Sequence, residues 1–474
     1  MGLVPRETKR RKTVSKYNLK KLISGLLVCL LCLTACSGQE GGESGDGSSL
    51  SPEITDISKD ASQWVDGLDS AGGKYKGKTF KVVSSVEGLF YDDSETPVAK
   101  EVMNRNGLIE QILGIGFSCN EKSAADIEKE LRKAVSEGKS YADLICAPAD
   151  VLAELAAEGL LENLYSLPYI NFEAGYVNKA ELEGQTVGDT MYMMSGLLTM
   201  DVGATVGLFY NKGLLESVGF DPYKMAKNGN WTWNDLITAA KAVSNGTFYG
   251  VESLLSDEET VAAVYTSCGG RIVNGGTGKT ATAAFDDSIG AYAASVVNGL
   301  FKNGELAGSY AGAEDAAKAF NSGKLGFVMA RLDNVGLFDG AESEWGLVPL
   351  PKYSQAQDGF ASPVCGSVMA VAVPKGAEDS GFSGFVLNAM LAASTDRLDK
   401  ALKQTYVNYH FWSNDAALML ELIGDTKALD LGVTYSSIPA VYDVGMGMLK
   451  ETEITALPAD KAAAFTAFAD KAFN

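Results

Sequence analysis

Histidine is nearly absent, with His410 the single one among 474 residues. That scarcity excludes a two-histidine metal site and the His-Glu-x-x-His pattern, and it leaves one place at most for a Ser-His-Asp triad. Cysteine is sparse as well. Beyond Cys29, Cys32 and Cys36 near the N-terminus there are only Cys119, Cys146, Cys268 and Cys365, widely spaced in apolar or Gly-rich settings. No metal-ligand spacing is visible, and four scattered cysteines in an exported chain fit buried free thiols better than a disulfide framework. Basic residues are outnumbered, 40 Lys and Arg against 60 Asp and Glu, for a net charge of −20. A surface of that sign repels phosphate backbones, which argues against nucleic acid or another acidic polymer as partner. The apolar stretch 22–35 also falls short of the roughly 18 residues that a spanning helix needs.

What is present points to a soluble, exported chain. Apolar residues make up 46% and charged residues 21%, within the range of globular proteins, and the length suits two or three domains. Arg10, Arg11, Lys12, Lys16, Lys20 and Lys21 form a basic block ahead of the apolar run, as in a secretory leader, so 1–35 is expected to be a signal peptide. The run ends at Leu33-Thr34-Ala35-Cys36, which is similar to a bacterial lipobox: small residues admit the signal peptidase and the Cys36 thiol takes the lipid. Residues 37–50 are Gly, Ser and acidic. Such a stretch has little to bury and stays a coil spanning on the order of 20 Å. The expectation is therefore a lipidated Cys36 and tether over 36–73, with folding beginning near Lys74. Residues 1–35 hold eight Lys and Arg against one Glu, so the chain without them carries −27.

From Lys78 the pattern is βαβ. Strands are expected over 78–85, 115–120 and 141–147, separated by helices over 96–113 and through Ile127, Leu131 and Val135, the latter closed by Gly138. A further helix, 150–158, is stopped by Gly159. This alternation predicts a parallel sheet covered on both faces, with ligands beyond the carboxyl ends of its strands. A second segment opens with a buried-type strand over 206–210 and a helix over 212–217. Thr232 and Asp235 then form a capping box, with Trp231 placed to staple onto Leu236. That arrangement favours packing over ligand contact for Trp231 and Trp233. Further on, 314–322 reads as a helix, 325–330 and 368–373 as strands, 345–351 as an extended or edge segment, and 382–393, 414–423 and the Ala-rich C-terminus as helices. No internal repeat is found.

Four of these pieces, in order, resemble the family 1 extracellular solute-binding proteins, the substrate-capturing lipoproteins of bacterial ABC importers. They are Leu208-Phe209-Tyr210-Asn211-Lys212, then Gly229-Asn230-Trp231-Thr232-Trp233, then 320–329 (FNSGKLGFVM), and then 346–352 (GLVPLPK) followed by Pro374-Lys375. Two departures stand out. Phe172 and Tyr176 occupy a neighbourhood where the family often has paired tryptophans, and Gly203-Ala204-Thr205 lacks a carboxylate that some maltose-type relatives place there. The resemblance implies an α/β fold of the type II periplasmic-binding-protein kind, a two-lobed clamshell with a hinge. Its lobes would be 74–202 plus 363–408 and 203–362 plus 409–474. It further implies a monomer that binds a small solute, mono- or oligosaccharide by type, delivers it to ABC permease subunits, and needs no cofactor or metal.

A sugar site requires aromatic faces and charged or amide groups. The strand-end loops supply Tyr91, Asp92 and Asp93, then Asp150, then Arg331 with Asp333, while Tyr409, Phe411 and Trp412 cluster where the chain recrosses. Each has a plainer reading. Asp150 is favoured as the N-cap of its helix, Asp92 and Asp93 equally as solvated turn residues, Arg331 as a surface ion pair, and Trp412 equally as core. The expected ligand-binding set is Tyr91, Asp92, Asp150, Arg331, Asp333, Tyr409 and Trp412, with no catalytic residue. A surface carbohydrate-active enzyme using a carboxylate pair, which needs no histidine, and a sensor or adhesion lipoprotein of the same fold remain the rivals.

Overall fold

Strand ends and helix caps along the chain follow local chemistry. In the computed structural model the described residues are 73–275, 282–284, 286–366, 368–394, 397–410 and 413–434, all within one compact unit, 55–474. β1 (Thr79–Ser84) leads to α1 (Pro97–Leu113). Thr96 caps α1 by accepting from Ala99 N–H at 3.1 Å, Pro97 pre-sets the first turn, and Gly114 ends it in the left-handed region at φ 63°. β2 (Gly116–Glu121), α2 (Ala124–Ser136), β3 (Leu144–Pro148) and α3 (Ala149–Ala157) complete the expected alternation, followed by the short α4 (Lys179–Glu183). β4 (Val206–Asn211), α5 (Lys212–Ser217) and α6 (Trp233–Val243) come next, then β5 (Tyr249–Ser253) and α7 (Asp257–Ser267). The remainder holds α8 (Ala313–Asn321), β6 (Leu325–Arg331), β7 (Trp345–Pro349), β8 (Ser362–Pro363), β9 (Met369–Ala372), α9 (Ser380–Ser394), α10 (Arg397–Tyr409), α11 (Asn414–Asp425) and β10 (Lys427–Ala428).

These strands build two four-stranded sheets. The first has the order β9-β3-β1-β2, with β1 parallel to β2 from Thr79↔Gly116 to Ser84↔Glu121, β1 parallel to β3, and β9 antiparallel to β3. The second has the order β5-β6-β4-β7, with β5 parallel to β6 and β4 antiparallel to both β6 and β7. β7, which carries Pro349 at its end, lies at the edge where a missing N–H is tolerated. Helices cover the sheets through apolar faces: Ile127 and Leu131 of α2 are buried, as are Leu236, Ala239, Ala240 and Val243 of α6. Trp231 and Trp233 are both wholly buried. Asp235 accepts from the Thr232 N–H at 3.0 Å, and Trp233 donates to the Ser267 hydroxyl at 3.0 Å, so the two tryptophans are packing residues. All four cysteines among the described residues are free thiols.

The chain passes between the sheets at two places, and these are bonded to each other. Thr205 bridges Val364, Cys365 N–H donates to Ala204 O at 3.0 Å, and β8 pairs in parallel with β10 through Ser362↔Lys427. Lys427 is buried and holds two carboxylates, Asp201 at 2.9 Å and Glu181 of α4. The two anions keep the Lys427 ammonium charged against its burial. Burial pushes the Glu181 carboxyl up to about 7, Lys427 opposes that rise, and the Asp201 charge adds to it.

The sign of the linkage follows. Glu181 binds its proton more tightly folded than unfolded, so its contribution to stability is full below the ordinary value of 4.5 and is lost as pH rises toward 7. Melting curves from pH 4.5 to 7.5 should show Glu181→Gln flattening part of the wild-type decline, and an unchanged slope would remove Glu181 as its source. Lys427→Met should cost about 3–5 kcal/mol in denaturant titration, because it strands two buried carboxylates.

Candidate functional site

The carboxyl ends of β1 and β3 present the first group of expected residues. Tyr91 is 52% exposed directly beside the buried Leu89 and Phe90. Asp92 uses Oδ1 to accept from Ser94 N–H at 2.9 Å, closing its own turn. Asp150 is exposed, but it is not the cap of α3. Pro148, the last residue of β3, holds the cap position without a side-chain bond, and Asp150 sits one turn-residue inside, accepting only from Val151 N–H at 2.9 Å. The helix starts early because Ala149 is already helical. The Asp150 carboxylate still lies at the positive end of the helix dipole.

A second group converges where β6 ends against the inter-sheet passages. Arg331, the last residue of β6, donates from Nη2 to Asp333 Oδ2 at 2.5 Å. A Cβ built on Gly366, whose φ is +85°, would fall 2.0 Å from Arg331 Nη1 and 3.5 Å from Glu259 Oε1. One on Gly203 would fall 3.2 Å from Asp333 Cβ and 3.3 Å from Tyr406 Oη. Thus Arg331, Asp333, Glu259 and Tyr406 gather from β6, α7 and α10 around two glycines of the two passages. Glu259 has one oxygen committed to its capping box, where Oε2 accepts from Ser256 N–H at 3.0 Å. The Arg331 Nε is buried with no hydrogen-bond partner among the described residues, although the side chain as a whole is 26% exposed. Burial, with the Asp333 charge adding to it and Arg331 opposing, pushes the Tyr406 phenol far above its usual range.

This arrangement offers donors on a guanidinium and a phenol beside acceptors on two carboxylates, suited to a guest rich in hydroxyls. Carboxyls that burial pushes upward lie elsewhere. Glu181 is held by Lys427, Asp143 accepts from Lys81 N–H, Glu252 of β5 accepts from Ser253 N–H, and Asp430 accepts from the N–H groups of Ile272 and Gly432.

Of the expected residues, the structure brings Arg331 and Asp333 together. It leaves Tyr91, Asp92 and Asp150 at the first sheet, where Asp92 and Asp150 bond to their own neighbours, Ser94 and Val151. Tyr409 ends α10, and its side chain is not among those described, while Phe411 and Trp412 lie outside the described residues. Phe172 packs edge-on against Tyr165 with ring centres 4.7 Å apart, and Tyr176 bonds Asn388 at 2.8 Å, so both serve packing. Sequence reasoning missed Glu259 and Tyr406. The Ser256-to-Glu259 spacing is a visible capping box, and Tyr406 stands three residues before Tyr409, so each had a local signal but no indication of its neighbours. Among the described residues no group of three or more His, Cys, Asp or Glu could hold a metal ion. No helix among them is long and apolar enough to cross a membrane.

The sequence pattern of the bacterial extracellular solute-binding proteins matches residues 120–385. That is more than half of the chain, and the chain belongs to this family. No curated protein sequence matches it. Among solved structures, a cyclo/maltodextrin-binding protein complexed with maltotetraose is similar at TM-score 0.55 and 16% identity, over 84% of this chain and 97% of that one. The galacto-N-biose/lacto-N-biose I-binding protein of a Bifidobacterium longum ABC transporter is similar at TM-score 0.54 and 16% identity, over 83% and 96%. A cyclic α-maltosyl-1,6-maltose-binding protein from Arthrobacter globiformis is similar at TM-score 0.54 and 15% identity, over 84% and 99%. The fold is that of the type II periplasmic-binding-protein-like clamshells, an α/β architecture as the sequence led us to expect.

Gly366→Ala provides a direct test of the cluster. The new methyl group meets Arg331 Nη1 and forces a left-handed alanine, a backbone cost of about 1–2 kcal/mol. Gly376→Ala, at φ +75° with only Lys139 O near its Cβ, imposes the same backbone cost away from the cluster. Calorimetric affinity should fall about tenfold or more for Gly366→Ala alone, and equal affinities in the two variants would remove Arg331 from the site.

Proposed function

We propose that this family member captures a carbohydrate between two lobes, 74–202 plus 363–408 and 203–362 plus 409–474, and hands it unaltered to the permease subunits of an ABC importer. The observation that carries the reading is the gathering of Arg331, Asp333, Glu259 and Tyr406 around Gly203 and Gly366, where the chain passes between its sheets. A guest there gains bonds from groups on separate elements at once, so it favours whichever arrangement brings them closest. The ligand named for each of the three similar structures is a saccharide, which agrees with the hydroxyl-matching chemistry of the cluster. Tyr91, Asp92 and Asp150 would face the guest from the first sheet, with Tyr409 and Trp412 as further aromatic contacts.

Lipidation of Cys36 would hold the protein at the outer face of the cell membrane, with 37–73 as the tether. Cys36→Ala should move the protein from the membrane pellet to the soluble fraction of expressing cells, and retention in the pellet would discard the anchor.

Thermal melts and calorimetry against mono- and oligosaccharides test capture itself. One saccharide class should stabilise the fold by about 2.7 kcal/mol when present at a hundred times its Kd, with no new product by chromatography after long incubation. Arg331→Ala should abolish most of that stabilisation. Turnover of the glycan would make the protein an enzyme, and no stabilisation by any saccharide would end the carbohydrate reading.

A further inference from the structure

A buried cation in the first sheet's covering helix has no counter-charge. Arg105 of α1 is 2% exposed and makes no ion pair among the described residues, and Glu101 one turn back is not within ion-pair reach. Its Nη1 is buried without a hydrogen-bond partner. Burial alone pulls its pKa down to about 10. A guanidinium in that position costs free energy that a leucine or methionine on the same helix face would not. The cost must be offset by what the group does.

Its bonds all go to the next residue. Arg105 Nε and Nη2 both donate to Asn106 Oδ1, at 3.0 and 2.9 Å. This bidentate hold decides which way the Asn106 amide faces, because the oxygen is taken and only the nitrogen remains free to point outward. Asn106 Nδ2 then donates to the Phe90 carbonyl at 2.6 Å. The guanidinium also lies over the Phe90 ring, 5.9 Å from its centre. A second pin holds the start of the same loop, where Gly88 N–H donates to Glu121 Oε1 at 2.8 Å. Between and just beyond these pins the chain changes abruptly from buried Leu89 and Phe90 to Tyr91 at 52% exposure. An aromatic ring left in solvent beside an anchor of this kind is a contact surface held ready.

We infer that Arg105 and Asn106 form a buried positioning pair that fixes the 86–93 loop at the carboxyl end of β1, so that Tyr91 is presented to the guest in a set orientation. This rests on the carbohydrate-capture reading for its purpose, but its mechanical half stands without any ligand. Pre-orientation matters because an ordered loop does not lose its freedom again when the guest arrives.

Two variants separate positioning from plain packing. Asn106→Asp keeps an oxygen for Arg105 and supplies the missing counter-charge, but it removes the Asn106 donor that holds the Phe90 carbonyl. Arg105→Met removes the buried charge and frees the amide to turn. Both should melt at or above the wild-type temperature, since each relieves an unpaired buried cation. Hydrogen exchange on the ligand-free protein should nevertheless quicken about tenfold across 87–93, with β1 and α1 amides unchanged. If either variant fails to fold, the other carries the measurement, and unchanged exchange at 87–93 in a folded variant overturns the proposal. The saccharide identified in the panel then supplies a second readout. Tyr91→Ala and Asn106→Asp should weaken it by similar factors. A loss in Tyr91→Ala with wild-type affinity in Asn106→Asp also overturns the pair's role. A panel without any binder would strike the carbohydrate reading while leaving the exchange result to decide the mechanical claim.

Discussion

The structure hangs on the bonded passages between its two sheets. Segment 204–205 is bonded to 364–365, β8 is bonded to β10, and the Lys427 ammonium ties β10 to Asp201 and to Glu181 on α4. This layer adds directed bonds to the apolar core that residues of both sheets share, and it brings together the segments that carry Gly203 and Gly366. An ion pair buried this deeply is a poor source of net stability, because desolvation of the three charges cancels much of their attraction. Its value is geometric. A break leaves an uncompensated charge, so alternative packings of the passage are far more costly than the native one.

The two glycines of the cluster express the same constraint from the other side. Gly207, deep in β4, is also crowded, but by Leu347, Leu332 and Ile423, which are apolar packing partners. At Gly203 and Gly366 the crowding atoms belong instead to Asp333, Tyr406, Arg331 and Glu259. Absence of a side chain there lets polar ends approach the backbone closely. A Cβ at 203 would fall 3.2 Å from Asp333 Cβ, so a glycine there leaves room for Asp333, two residues beyond the end of β6.

Much of this was legible in the sequence. Period-two and period-3.6 patterns, with Gly138 and Gly159 as stops, place the elements of the first sheet within a few residues, because there local preference and tertiary packing agree. Asp150 was misread because a Pro ending a strand can occupy the cap position itself. The region of β5 and α7 carries no readable period, since Thr260 to Ser267 are buried on every side of α7 and a helix without a solvent face has no amphipathic stripe. Arg331 and Asp333 could be found because both follow one strand. Glu259 and Tyr406 could not be grouped with them, since contact across 72 and 75 residues of chain is decided by topology rather than by neighbours in sequence.

Three buried or half-buried cations show how differently one sequence can use positive charge. Lys427 is matched by two carboxylates, and its buried ammonium is committed to holding the passages. Arg331 is matched by one carboxylate and keeps a buried Nε without a partner. Arg105 is matched by none; its Nε and Nη2 orient an amide and its buried Nη1 has no hydrogen-bond partner. Compensation thus differs with role rather than with place: Lys427 and Arg331 both lie at the passages, the first fully matched and the second only partly, while Arg105 serves a neutral bond to a loop carbonyl. A surface salt bridge such as Arg132 with Glu158 contributes little to any of these ends. On the proposed reading it is the cations with incomplete partners, Arg331 directly and Arg105 through its loop, that serve the solute.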